Sequence, residues 1–259
     1  MTLTSRRPST ALSDDVLLTA YRDHVEDVAR VVQEQRRRLG TTPALRPQLD
    51  DLEAELTYAL VRHLRPRTVL EIGCYWGWST TWLLAALRDN GSGHLHSVDR
   101  VPHVERVVEA ALRPRWTFHR ADVRDRTAMV RELRPDLVFV DAAHTRAFGR
   151  WVTSTLFTEV PPGTPVSVHD VYRHRTTLPV SEGRVLEDWA LRGGVGLLTV
   201  ARARAPWLRA ALHDLRREAG ITGARGTGRD PMVWLTLPGV RPLPSGAPSD
   251  PLDEVRPDR

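Results

Sequence analysis

The chain has 259 residues, 41% of them hydrophobic, and a formal net charge of +5 from 37 basic and 32 acidic side chains. That length holds one large domain or two small ones. No apolar run approaches the roughly 18–20 residues that span a bilayer, and the composition is that of an ordinary globular protein, so membrane-spanning and wholly disordered chains are excluded. All the basic residues are arginine, and the lack of lysine removes a Walker A lysine, a Schiff-base lysine and a lysine general base together. The arginines are interleaved with Asp and Glu and form no basic stripe, so no nucleic-acid partner is expected. Arg6 and Arg7 precede no apolar stretch, and Cys74 is the single cysteine. These features read as a cytoplasmic chain without signal peptide, membrane partner or disulfide framework.

In chain order, residues 1–15 read as a polar terminus and 16–39 as one amphipathic helix, with Val16, Leu17, Ala20, Val25, Val28, Val31 and Val32 near helical spacing. A second helix is expected from Asp50 or Asp51 to about His63, stopped by Arg65-Pro66. Beyond it, short β-branched runs at 67–72, 94–99, 115–119, 136–141 and 165–170 alternate with helix-length stretches. A helix near 182–191, a strand near 195–201, a helix near 205–218 and a last strand at 231–237 bring the count to seven strands. The alternation predicts an α/β fold, a Rossmann-like, doubly wound, mostly parallel sheet with helices on both faces and extra N-terminal helices. The expected organisation is a tail and helix over 1–49, one catalytic domain over 50–240, and a disordered tail over 241–259, where five prolines fall in nineteen residues.

The run TVLEIGCYWGWST places Glu71 at the end of the first strand, Gly73 and Gly77 in the following turn, and Ser79 at the expected N-cap of the next helix. In an open α/β sheet this turn lies under a bound nucleotide, and glycine lets the ligand approach the backbone. A dinucleotide fingerprint needs a third glycine, which is missing, and an acidic strand end repels phosphate but suits a cationic amino group. S-adenosylmethionine is therefore favoured over NAD. Asp99 ends the second strand, where a carboxylate can accept from both ribose hydroxyls, and Asp122 follows the third, placed to meet the adenine amino group.

Residues from about 50 to 200 resemble the class I S-adenosylmethionine-dependent methyltransferases, and EIGCYWGWST, VFVDAAH and VSVHDVY are similar to the catechol-type O-methyltransferases and relatives that modify bacterial natural products. The resemblance implies a seven-stranded sheet with the last strand antiparallel, N-terminal helices over the cofactor and acceptor, and, from family habit, a homodimer through those helices.

Asp141 and Asp170 close the fourth and fifth strands at the ligand-binding edge, where two hard oxygen donors can hold Mg²⁺ or Mn²⁺. The resemblance makes Asp141 a metal ligand as well as part of the cofactor site, and draws further ligands from the pair after the fifth strand. That pair is His169-Asp170, which makes His169 a nitrogen ligand, a competing base or no ligand at all, and lowers the case for Mg²⁺ while raising that for Mn²⁺, Fe²⁺ or Zn²⁺. His144 stands where the resembled enzymes carry a catalytic lysine, and a neutral imidazole suits a general base. The resulting expectation is O-methylation of a small hydroxylated acceptor, a secondary metabolite, with divalent-metal assistance. Alternatives are metal-free N- or C-methylation, an NAD(P)-binding oxidoreductase, or a non-catalytic binding protein. Trp76, Trp78 and Tyr75 could meet ligand or pack, the run Tyr172 to Arg175 reads as a basic acceptor loop or a solvated one, and Cys74 reads as a packing residue.

Overall fold

The structure, a computed structural model, describes residues 11–173, 176–225 and 228–239. The expected C-terminal tail and most of the expected N-terminal one lie outside the described residues. Seven strands form one sheet in the order β3-β2-β1-β4-β5-β7-β6. They are β1 (Thr68–Ile72), β2 (His94–Asp99), β3 (Trp116–Arg120), β4 (Leu137–Val140), β5 (Pro165–Val168), β6 (Leu198–Thr199) and β7 (Val233–Thr236). β1 to β5 run parallel, and β7 is antiparallel to both β5 and β6. β2 has the bounds expected of it, β3 is shifted by one residue, and the other five strands are shorter than their apolar runs, β6 most of all.

The helices are α1 (Asp14–Asp23), α2 (Val25–Thr41), α3 (Asp51–Leu64), α4 (Trp78–Asp89), α5 (Thr127–Leu133), α6 (Arg146–Trp151), α7 (Phe157–Glu159), α8 (Glu182–Gly193) and α9 (Pro206–Glu218), with a π-helical stretch joining α6 to α7. The single helix expected over 16–39 is two. His24 leaves helical geometry (φ −122°, ψ 15°), and its amide turns back to Tyr21 and Arg22. Both halves still bury their apolar stripe, with Leu17, Tyr21, Val28, Val31 and Val32 fully buried.

Alternation along the strands gives each face its own core. Val69, Leu95, Leu137, Phe139 and Trp234 pack with α4 and the N-terminal helices, whereas Leu70, Ile72, Val138, Val140, Val166 and Val168 pack with Phe148, Leu156 and Leu186 on the other side. α1 to α3 thus share a core with the sheet and form no separate unit. Trp78 and Trp82 on α4 meet edge to face at 5.7 Å in that first core. Each removes roughly 150–250 Å² from water, worth several kcal/mol at about 25 cal/mol per Å². A buried ion pair ties the ends of the chain together: Arg216 on α9 reaches Glu55 on α3 at 2.9 Å, and the Tyr21 hydroxyl donates to Glu55 at 2.6 Å.

The chain winds outward from β1 to β3 and returns to β4 beside β1, so the strand order reverses between β1 and β4, the place where such sheets open a crevice at their carboxyl edge. Past the strand ends the parallel ladder continues. Gly73 N–H donates to Val98 O (2.9 Å), Asp141 N–H to Ile72 O (2.8 Å) and His169 N–H to Val140 O (2.9 Å). The three residues are thereby set side by side along that edge.

Candidate active site

The turn after β1 needs its glycines. Gly73 (φ +83°) and Gly77 (φ +82°) lie in the left-handed region, and a Cβ on Gly73 would sit 1.9 Å from the Asp141 carbonyl oxygen. Asp99 holds the turn from β2: one carboxylate oxygen accepts from the amides of Cys74 and Tyr75 at 2.9 and 2.8 Å, the other from Val101 at 3.0 Å. A carboxylate has about four acceptor positions, so Asp99 retains capacity for ribose hydroxyls.

Glu71 lies inside β1, not at its end, and is fully buried. Its carboxylate accepts from Ser79 (2.6 Å), Thr80 (2.8 Å) and Ser97 (2.5 Å), and burial pushes its pKa up to about 7. The expectation that Glu71 meets a cationic amino group directly is corrected: three hydroxyls occupy it, and it braces the turn against α4 and β2. Ser79 is corrected in the same way. Gly77 occupies the N-cap position of α4, and Ser79 is in the first turn with its hydroxyl directed at Glu71. Asp122 caps a short 3₁₀ turn and takes the Arg124 backbone amide and guanidinium at 2.7–3.0 Å. Trp78 is core; Trp76 stacks on His103 at 4.1 Å, with the Arg46 guanidinium 4.4 Å from its ring centre. Cys74 is buried, and burial raises its thiol pKa, as fits a packing residue.

Beside this turn, four side chains from the β4 and β5 ends converge. Asp170 is two residues past β5 rather than closing it, and its φ of 61° turns its carboxylate back towards the β4 loop. His169 Nδ1 is 3.0 Å from Asp141 Oδ1 and 3.7 Å from Asp170 Oδ1. His144 Nε2 is 3.6 Å from Asp141 Oδ1 and 3.5 Å from Asp170 Oδ2. Asp141, His144 and His169 each place a donor atom within 4.8 Å of the others. Both imidazoles are backed by buried carboxylates on their far side: Glu53 Oε2 is 3.3 Å from His169 Nε2, and Glu182 Oε2 is 3.4 Å from His144 Nδ1. Burial by itself would lower both histidine pKa values, but the surrounding carboxylates outweigh it and raise them, His169 strongly. Asp141 is lowered in turn: burial opposes, and the two imidazoles prevail.

Residues 70–171, from β1 to just past β5, match the family described as a methyltransferase domain. That match spans the glycine turn, Asp99 and the Asp141–Asp170 cluster. The match marks residues 70–171 as a methyltransferase domain. Among solved structures the chain is similar to the O-methyltransferase TomG from Streptomyces achromogenes, solved with S-adenosylmethionine, at 20% identity over 88% of this chain and 92% of that one, with a TM-score of 0.53. It is also similar to an O-methyltransferase from Bacillus cereus solved with S-adenosylhomocysteine (16% identity, 82% and 90% covered, TM-score 0.51) and to cofactor-bound Rv0187 from MTB (15%, 79% and 89%, TM-score 0.55). Identities this low speak for the fold alone. No curated protein matches the chain.

The cluster has two neighbours that sequence reasoning missed, Glu53 and Glu182. Asp50 and Glu53 carry the spacing of a capping box, and Glu53 does accept from the Asp50 amide (2.9 Å), which hides its second task at His169. Glu182 follows the N-cap Ser181 and looks like an ordinary first-turn acid. Arg173, read as part of a basic acceptor loop, pairs with Asp170 at 3.3 Å. His174 and Arg175 lie outside the described residues. Among the described residues no helix is long and apolar enough to cross a membrane.

Proposed function

We propose that this methyltransferase moves the methyl group of S-adenosylmethionine to a hydroxyl oxygen of a small secondary metabolite, assisted by a divalent cation. The observation that carries the reading is the contact of the two half-sites. The glycine turn touches the Asp141 backbone, and the Asp141, His144, His169 and Asp170 side chains converge directly beyond it. A cofactor on that turn, with Asp99 towards its ribose, presents its sulfonium methyl to an acceptor at the cluster. The oxygen attacks the methyl carbon in line as the carbon–sulfur bond breaks, giving the methyl ether and S-adenosylhomocysteine. The hydroxyl proton goes to His144 Nε2. His144 is a third exposed and open to an acceptor, whereas His169 is 7% exposed and walled in.

The residues present fit a cation. Ligands about 2.0–2.2 Å from a common ion lie roughly 3.0–3.5 Å from one another, and His169 Nδ1 lies 3.0 Å from Asp141 Oδ1 and 3.7 Å from Asp170 Oδ1. Asp141, Asp170 and His169 would hold it, and it would lower the pKa of an acceptor hydroxyl. Its charge would also counter the carboxylates that now favour the imidazolium form of His144. The secondary-metabolite acceptor rests on the resemblance of EIGCYWGWST, VFVDAAH and VSVHDVY to natural-product enzymes.

Methyl-labelled cofactor offered with a panel of polyhydroxylated acceptors tests the reading. Label is expected in a methyl ether, with transfer lost in Asp141→Ala and on chelation while S-adenosylhomocysteine binding persists. Transfer to nitrogen or carbon that survives both treatments would replace it with metal-free N- or C-methylation.

A further inference from the structure

We infer that Glu53, reaching from α3, locks His169 as a nitrogen donor, so that the cluster prefers a nitrogen-accepting transition metal ion such as Zn²⁺ or Co²⁺ over Mg²⁺. This rests on the proposal that the cluster holds a divalent cation. Glu53 is fully buried and fixed by two backbone amides from different parts of the chain, Asp50 N–H at 2.9 Å and Met232 N–H at 2.7 Å. It therefore cannot swing away from the ring it faces. With a cation held between Asp141 and Asp170, Nδ1 faces the ion and the ring proton stands on Nε2, where Glu53 at 3.3 Å accepts it.

Histidine whose outer nitrogen donates to a carboxylate is the arrangement that orients imidazole ligands and raises their basicity. Mg²⁺ gains little from it, since it takes oxygen donors and retains waters, whereas imidazole suits Zn²⁺, Co²⁺ and Fe²⁺. The second imidazole beside the site is backed in the same way by Glu182, which is 4% exposed and whose Oε1 has no hydrogen-bond partner among the described residues. The surroundings are thus built to hold rings in place, one on each flank of Asp141.

The test is calorimetric titration of the chelator-treated full chain with Zn²⁺, Co²⁺ and Mg²⁺, with S-adenosylhomocysteine titrated in parallel. Most nitrogen- or oxygen-donor sites favour Zn²⁺ over Mg²⁺ to some degree, so the diagnostic quantity is the change in preference between variants. His169→Asp, which makes the donor set all oxygen, is expected to cut the Zn²⁺-to-Mg²⁺ affinity ratio at least about tenfold and to alter the visible absorption of bound Co²⁺. Glu53→Gln is expected to weaken Zn²⁺ binding roughly 10–100-fold. Because Glu53 also caps α3, thermal unfolding checks that this variant folds, and His169→Asp carries the test if it does not. An unchanged ratio and an unchanged Co²⁺ spectrum in His169→Asp would overturn the inference. Absence of any metal binding, with S-adenosylhomocysteine still bound, would instead remove the cation from the proposed function and this inference with it.

Discussion

Replacing His144 by Ala is expected to lower kcat about 10²- to 10⁴-fold, the range supplied by a positioned general base, while S-adenosylhomocysteine affinity changes less than about threefold. The separation follows from where the ring sits. Its Nε2 faces the Asp141–Asp170 cleft and its Nδ1 faces Glu182, and neither nitrogen contacts the glycine turn or Asp99. Imidazole added to the variant is expected to restore part of the rate, because the ring is a third exposed and its removal opens a reachable space. Unchanged turnover, measured as labelled methyl ether formed per minute, would take His144 out of the mechanism and leave His169 as the remaining imidazole.

Replacing Gly73 by Ala is expected to strike both half-sites at once. The added Cβ would stand 1.9 Å from the Asp141 carbonyl oxygen, 2.6 Å from its carbonyl carbon and 2.9 Å from the Ala142 Cα, all backbone atoms that cannot rotate aside. The left-handed φ of +83° adds about 1 kcal/mol or more for any residue with a Cβ. Relief requires the β1 and β4 ends to part, which breaks the Asp141 N–H bond to Ile72 and carries Asp141 away from the turn. A loss of about 3 kcal/mol, lowering Tm by roughly 6–12 °C in a chain of this size, is expected together with at least tenfold weaker S-adenosylhomocysteine binding. Gly91→Ala is the control. Its φ is +66°, with nothing within 4 Å of an added Cβ, so it carries the backbone cost without the collision and leaves binding intact. Wild-type melting and affinity in Gly73→Ala would contradict the packing described between the turn and Asp141.

The strands and the glycine turn were legible because their causes are local. Buried runs such as VLEI and LVFV have no other use in a protein of this composition, and two glycines four apart with an acid at the next strand end mark a crevice. The split of the first helix at His24 was not legible, because the apolar stripe continues through it and only packing on α3 decides where the helix bends. Local rules also misassigned Ser79: a serine before an apolar run reads as a cap, yet left-handed Gly77 takes that position and Ser79 turns to the buried Glu71.

The candidate centre divides along the same line. Asp141, His144, His169 and Asp170 were visible because each follows a strand end, and strand ends of a parallel sheet share an edge. Glu53 and Glu182 were not, since each lies in the first turn of a distant helix, where an acid is favoured by the helix dipole whatever else it does. Only the tertiary fold, which lays α3 and α8 against that edge, shows what they face.

The account stands most directly on S-adenosylmethionine occupying the turn between β1 and α4. Calorimetric titration of the full chain with S-adenosylhomocysteine measures that without knowledge of the acceptor, of the methylated atom or of the metal. One site per chain with micromolar or tighter affinity, weakened at least about tenfold in Asp99→Ala, is the expected result; a folded wild-type chain that takes up no S-adenosylhomocysteine would contradict it.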